Sequence, residues 1–434
     1  AVSGSQGTGT VTVNYAATGR QPVLTGYINQ STGIGYYTLL DKERKLTSRY
    51  DYLQSGSDGY VYRLTSVTDR NGNALTLTYD GNGRLTQLTD ASGRHVTFTI
   101  DGSGRCTGLT SIDGLTASFA YDGAGNLTQT TDLAGNISTY AYDAQNYLTS
   151  MTAAVKTTTF TYATGAAGRY VASVTDALGK TTTYAFDGNG TRVTETGGGT
   201  RSYLHDKGMT TTVTNPMGQS VVTTYNDNRL PVSILDANSL QTSFAYDANG
   251  NLIKVTDPVG KETVYAYDGN WNRISQTDPL SQTWTYTYDT HDNLIRTTSP
   301  LGAVTGRTVN TLGLVTRLSL PDGATYDFSY DGHGNLTAVA DPLGNATSYA
   351  YDAAGLNLTS RTDPRHYTTT YQYDANRRLT AKHLPDASTI LYEYDCCALS
   401  SVTNGGDHAT SFARDALLHI TKITDPLGHF TQLT

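Results

Sequence analysis

Cysteine is nearly absent: three residues in 434, Cys106 and the neighbours Cys396-Cys397. So few exclude a disulfide framework, and their spacing matches no zinc site. Idle thiols are the plain reading; a strained bridge between the two neighbours is the sharper one. Long apolar runs are missing too, since none approaches the roughly 18 residues that a transmembrane helix requires. Positive charge is in deficit, with 30 Lys and Arg against 38 Asp and Glu and a net charge of -8. A nucleic-acid or anionic-membrane partner normally needs clustered Lys and Arg, so neither nucleic-acid binding nor membrane insertion is expected. The one basic run, Lys42-Glu43-Arg44-Lys45, reads as a solvated loop. Hydrophobic residues make up only 37% and mean hydropathy is -0.39, which favours a thin, wet sheet over a thick core. No stretch of helical period is long enough to predict a helix.

What is abundant is Tyr (32) and Gly (44), with much Thr and Asn. They are arranged in a repeat. The pairs Tyr246-Asp247, Tyr267-Asp268 and Tyr288-Asp289 fall 21 residues apart. Within a unit, an alternating run such as Thr263-Val264-Tyr265-Ala266-Tyr267 meets a Gly/Asn cluster, then a second run, then Asp-Pro-x-Gly. This predicts strand, turn, strand, turn. Successive side chains on a strand point to opposite faces. Thr263, Tyr265 and Tyr267 are therefore expected on one face, and in the return run Leu252, Lys254 and Thr256 opposite Ile253 and Val255. Asp80-Gly81-Asn82-Gly83 and Ala248-Asn249-Gly250-Asn251 offer residues that tolerate positive φ in tight turns. Asp257-Pro258-Val259-Gly260 places Pro where its fixed φ suits a turn.

Residues 1–59 lack the 21-residue signature and are expected to be a β-rich cap or lead-in. Residues 60–434 hold the array. Its aligned positions run Asp80, Asp101, Asp122 and Asp143, loosen through Ala163, Asp187, Asp206 and Asn226, and resume strictly from Asp247 to Asp352 before Asp374, Asp395 and Asp415. That makes about seventeen units, or roughly 34 strands spaced ~4.8 Å apart. The expected fold class is all-β: tandem antiparallel hairpins in one long coiled sheet, a spiral shell or solenoid-like array. The chain begins at Ala1 and stops at Thr434 inside a unit, so it reads as cut from something longer.

No site residue stands out from the repeat: catalytic none, cofactor-binding none, metal none. The nine histidines lie singly, without a ligand spacing such as His-Glu-x-x-His. Aspartates recur at turn starts, which gives each a structural role. Asp80-Gly81-Asn82-Gly83-Arg84 faintly resembles a calcium loop, yet has Arg at its fifth position. Tyr rows could stack on sugars, although cross-strand packing explains them first.

The recurring Tyr-x-Tyr-Asp-x-x-Gly-Asn-Leu-Thr followed by Thr-Asp-Pro-x-Gly, as in 349–358 and 256–260, resembles the YD repeat of rearrangement-hotspot (Rhs) proteins. The resemblance covers roughly residues 60–434. It implies a secreted or cell-surface bacterial protein, such as a polymorphic toxin or an insecticidal toxin complex component, whose repeats spiral into a hollow shell around a C-terminal toxic segment. The implied function is a non-enzymatic scaffold without cofactors, partnered by a toxin segment or flanking shell domains of the same polypeptide. The extended Asp-Pro-x-Gly segment by which family members close the shell and cleave themselves is not present here. The alternative is a surface adhesin or self-assembling filament subunit, with glycan contact or self-association through open edge strands. On either reading, far-ultraviolet circular dichroism is expected to show strand with at most a minor helical component.

Overall fold

Alternating Tyr and Thr, interrupted every ten or eleven residues by an Asp turn, leave room only for short strands. The computed structural model describes residues 9–13, 23–28, 35–41, 43–56, 59–153, 155–165, 168–187, 190–206, 209–395, 398–415 and 418–433. Cys396-Cys397, with their suggested bridge, and Lys42 of the basic run lie outside the described residues. Among the described residues there are 40 strands and no helix. The repeat appears as expected: Gln241–Tyr246, Leu252–Thr256, Glu262–Tyr267, Arg273–Thr277 and Thr283–Tyr288 follow in order, each paired antiparallel with the next. Each Tyr strand thus lies between the return strand of its own unit and that of the unit before.

Two compact units are assembled from separate stretches of chain. One comprises 1–95, 187–191 and 201–328; the other comprises 96–186, 192–200 and 329–434. Neither has a thick core. The buried residues among those described are four glycines (26, 83, 250 and 355) together with Ala117, Ala381, Asn251, Asn272, Asn293 and Thr369. One sheet face is nevertheless drier than the other. Along Ala346–Tyr351, Thr347, Tyr349 and Tyr351 are half-buried while Ala346, Ser348 and Ala350 are exposed.

Strict alternation in the return strands is corrected by the structure. Tyr246 pairs with Leu252 and Ala245 with Lys254, so Ile253 is an extra, unpaired residue, a β-bulge. The same bulge recurs at Thr86, Ile274, Thr359 and Thr380. It explains the signature. At several of these bulges a Thr hydroxyl donates back across the hairpin, as from Thr86 to Thr78 O (3.2 Å) and from Thr380 to Gln372 O (3.2 Å). The carbonyl of the residue just before the bulge accepts from the next unit's second Tyr: Tyr288 Oη to Arg273 O at 2.9 Å, Tyr373 to Leu358 at 3.0 Å, Tyr394 to Leu379 at 3.0 Å. Many units are therefore fastened to their predecessors by a tyrosine hydroxyl. Threonines flanking the shorter turns pair as well, as Thr277 with Thr283 and Thr362 with Thr368, both at 2.8 Å.

Arg residues extend the Tyr contacts. The guanidinium carbon of Arg105 lies 4.9 Å from the Tyr121 ring centre, and that of Arg378 lies 4.8 Å from the Tyr394 ring centre. Such stacking adds roughly 0.5–1 kcal/mol at partly exposed sites.

Replacing Tyr373 by Phe removes one hydrogen bond and leaves the Leu358 carbonyl short of a donor, at a cost of about 1 kcal/mol. Tyr373→Ala also removes the ring and is expected to cost more. Because a repeat array need not unfold in one step, local hydrogen exchange at 358–362 and 368–373 is the suitable measurement.

Candidate functional site: the turn edges

The most regular side-chain arrangement in the molecule is at the turns, and it follows from one carboxylate. At Asp122 the Oδ1 atom accepts the N–H groups of Ala124 (2.9 Å) and Asn126 (2.8 Å), while Oδ2 accepts from the Asn126 side chain (3.0 Å). The backbone closes around it, with Gly125 N–H donating to Asp122 O and Asp122 N–H to Asn126 O. Gly125 has φ of 90°, a conformation that suits glycine. The Asp-Pro-x-Gly turns share this geometry: Asp341 Oδ1 takes the N–H groups of Leu343 and Asn345, and Oδ2 takes the Asn345 amide. Both ends of the hairpin therefore use one design.

At many turns the residue four positions after the aspartate carries a side-chain donor, although Leu240 follows Asp236 and Tyr147 follows Asp143 there. The donor is Asn at 126, 251, 272, 293, 335 and 345, Arg at 94, 105 and 378, and His at 419 and 429, whose Nδ1 atoms lie 3.1 and 3.2 Å from their aspartates. All can donate to the second carboxylate oxygen. The sequence displays this position as the Asn of Gly-Asn-Leu, but its role depends on a side chain turning back into its own loop. Asn272 reaches further, to Asp292 Oδ1 at 2.7 Å in the next unit, and Asn126 reaches Asn146 at 2.9 Å.

These donors set the electrostatics. The Asn126 side chain and backbone N–H hold Asp122 below its ordinary 3.8. Asn345 does the same for Asp341, and the Tyr367 N–H for Asp363. At Asp289 burial pushes the pKa upward, but the Asn293 hydrogen bonds outweigh it and the net direction is down. The calcium-loop reading of Asp80 loses its basis, because Oδ1 accepts the N–H groups of Asn82 and Arg84 and Oδ2 faces Arg84 Nε at 3.5 Å. Among the described residues no group of three His, Cys, Asp or Glu side chains is placed to hold a metal.

Alternating turns place two different edges on the sheet. One carries the turns that follow Tyr strands, such as 268–272 and 289–293; the other carries turns that follow return strands, such as 69–73 and 111–115. Within the first unit the two kinds touch. The side-chain amides of Asn71 and Asn293 exchange hydrogen bonds (3.3 and 2.7 Å), Arg70 donates to Asp292 O (3.0 Å), and Asn73 donates to Leu312 O (3.1 Å). Lys45 pairs with Asp292 Oδ2 at 3.2 Å and also donates to Asn270 O. A cleft of about 200 Å³ lies there, lined by Leu40, Lys45, Asp69, Arg70 and Asp292. Both of its cations are already engaged. Within the second unit Arg377 pairs with Asp113 and approaches Ser111 Oγ (3.4 Å).

Several positions depart from the tyrosine pattern, among them Ile100, Phe186, Val309 and Arg414. Arg414 stands where the second Tyr would, and donates through Nη2 to Leu399 O (3.2 Å) and through Nη1 to Leu418 O (3.0 Å). Its Nε is buried without a partner, beside a cleft of about 220 Å³ lined by Leu399, Ser400, Phe412 and Asp415. The guanidinium thus reproduces the tyrosine's bond to the carbonyl before the bulge.

A family profile described as RHS Repeat matches residues 63–95, 101–137, 246–274, 271–304, 310–346, 330–356 and 351–389. No curated protein matches the chain. Among solved structures, a mutant Tc holotoxin pore of Photorhabdus luminescens is 14% identical over 97% of this chain and 28% of its own, with a TM-score of 0.30. A TcdB2-TccC3 structure is also 14% identical, over 98% of this chain and 30% of its own, with a TM-score of 0.30. The chain thus spans less than a third of the length of those it matches.

The depressed aspartate pKa values give stability that is present above 3.8 and is lost as pH falls through the lower folded values. Many turns titrate together, so opening is expected to be steep below about pH 4. Following tyrosine fluorescence against pH checks this, and Asp341→Asn should make the transition shallower. Millimolar calcium is expected to leave the melting temperature unchanged, since the turn carboxylates already accept donors from their own loops.

Proposed function

We propose that the chain, which carries RHS repeats over segments between residues 63 and 389, forms part of the wall of a hollow shell, in an exported bacterial protein, enclosing or presenting a toxin segment of the same polypeptide. At its coarsest it is a structural repeat scaffold. In the finer reading residues 60–434 are the wall and 1–59 its lead-in or cap. The observation that favours a shell is the contact of unlike edges inside each unit. Asn71 and Asn293 are 222 residues apart and hydrogen-bonded. In a straight ribbon the twenty or so intervening strands would hold them roughly 100 Å apart. Only a ribbon that curves back can bring them together.

A wall needs no reaction chemistry, and the turn carboxylates are committed to their own loops. The reading is therefore non-enzymatic, with the protein secreted or at the cell surface and its partners the toxin segment or flanking shell domains. In a polypeptide where a segment follows the array, that segment is expected to resist protease while the array is folded and to be cut once acid opens it. Equal digestion rates in both states would contradict enclosure. The purified chain is expected to turn over no ester, peptide, glycoside or phosphate substrate; activity abolished by one substitution that spares the fold would overturn the non-enzymatic reading.

A second reading, a surface adhesin or filament subunit, is favoured by a different observation. Val259, Leu280 and Leu301 occupy the same turn position in successive repeats and are 77%, 74% and 96% exposed. Apolar rows of this kind mark association sites. Tyr367, at 53% exposure, offers a ring face for glycan contact. Sedimentation over a wide concentration range tests self-association, which Leu301→Ser should weaken.

A further inference from the structure

A repeat poses a problem of register. If the two turn edges of a ribbon meet, sliding one edge by a unit of 21 residues presents nearly the same backbone, and near-identical alternatives are weakly discriminated. Register must then come from residues that break the repeat. In turns that follow Tyr strands, the fourth residue has positive φ and is commonly glycine, as at Gly83, Gly104, Gly125, Gly250 and Gly334. Asp292 and Arg377 occupy that same position with φ of 64° and 60°, a conformation L side chains adopt at a cost. Those two residues supply the ionic contacts between unlike edges, Asp292 to Lys45 in one unit and Arg377 to Asp113 in the other.

We propose that Asp292 and Arg377 are register keys: charges placed at the turn position where the repeat favours glycine, which dock one edge of the ribbon onto the opposite edge at a single offset. The partner each one fits is a turn of the other edge carrying the opposite charge. At both joints the keyed turn follows a Tyr strand and its partner lies on the other edge. The first joint is further selected by shape. Gly313 lies beside Asn71, and a Cβ there would sit 2.2 Å from the Asn71 amide nitrogen, so a turn with a side chain at that position would have to displace the Asn71 amide and its bond to Asn293. Burial pushes Asp113 and Asp292 upward, yet both are held below their ordinary value, Asp113 by Arg377 and Ser111, Asp292 by Asn272, Asn270 and Lys45. Each carboxylate is therefore charged at neutral pH, Asp292 as a key to Lys45 and Asp113 as the partner of Arg377.

The inference rests on the scaffold reading for its purpose but not for its test. Arg377→Gly installs the residue the turn geometry prefers, so the 374–378 turn should remain closed while its key is lost. Hydrogen exchange at 111–114, more than 260 residues away in sequence, is expected to accelerate at least tenfold, with turns such as 236–240 unchanged. Arg377→Lys keeps the charge and should retain most of the protection. Asp292→Gly is expected to do the same to 43–46 in the first unit. Unchanged exchange at 111–114 in the Arg377→Gly protein would overturn the proposal. So would an acceleration spread equally over all turns, which would make the pair a general stabiliser. Both outcomes can be read whether or not the array encloses anything, and protease resistance of a downstream segment tests enclosure separately.

Discussion

One carboxylate bonded to two N–H groups of its own loop is the constraint on which the rest depends. With Oδ1 of Asp122 holding the amides at 124 and 126, and Oδ2 holding the Asn126 side chain, the chain reverses within five residues. It does so again ten or eleven residues later. Most strands therefore stay at five or six residues, too narrow a strip to bury a core. The stabilising contacts then have to run along the ribbon between neighbouring units. The tyrosine hydroxyl on the carbonyl before the bulge, the threonine pairs and the amide bridges from unit to unit are such contacts, each worth about 1 kcal/mol or less and repeated many times. It is fitting that three of the few buried residues are asparagines at one repeat position, 251, 272 and 293.

The strand order, the turn positions and the absence of a thick core were legible in the sequence, because spacing and composition express them directly. Turns centred at Gly81-Asn82, and a Tyr strand between two return strands, needed only period-two alternation and turn chemistry. The bulge was not legible. It leaves the unit length at 21 and shows only as a step such as Leu-Thr, Leu-Ile or Arg-Ile, which an ordinary strand also contains. Ile253 consequently breaks an alternation that the sequence alone implies. The donor at the fourth position after the aspartate was visible as a recurring Asn, Arg or His, yet these residues share no obvious property until one asks which can donate to a carboxylate. The contacts between Asn71 and Asn293 and between Arg377 and Asp113 lie further from reach. They depend on curvature accumulated over many strands, and no local window carries that sum.

The contact between unlike edges bears on both functional readings. A surface that meets a copy of itself closes into a pair, whereas two different surfaces that fit each other can be extended head to tail without limit. An edge that docks onto the opposite edge of the same ribbon builds a wall; the same edges on separate chains would build a fibre. The backbone chemistry is common to both, so the choice rests on side chains that break the repeat. At the internal contacts these are polar or charged, Asn71, Asp113, Asp292 and Arg377, and each finds its complement. At Val259, Leu280 and Leu301 the equivalent turn position is apolar and exposed. Charged keys reject a mismatched offset because an unpaired charge is costly to cover, while exposed aliphatic side chains accept many offsets at similar energy. A ribbon with polar keys where its own edges meet and leucines on turns left open therefore combines selective closure on itself with permissive contact elsewhere.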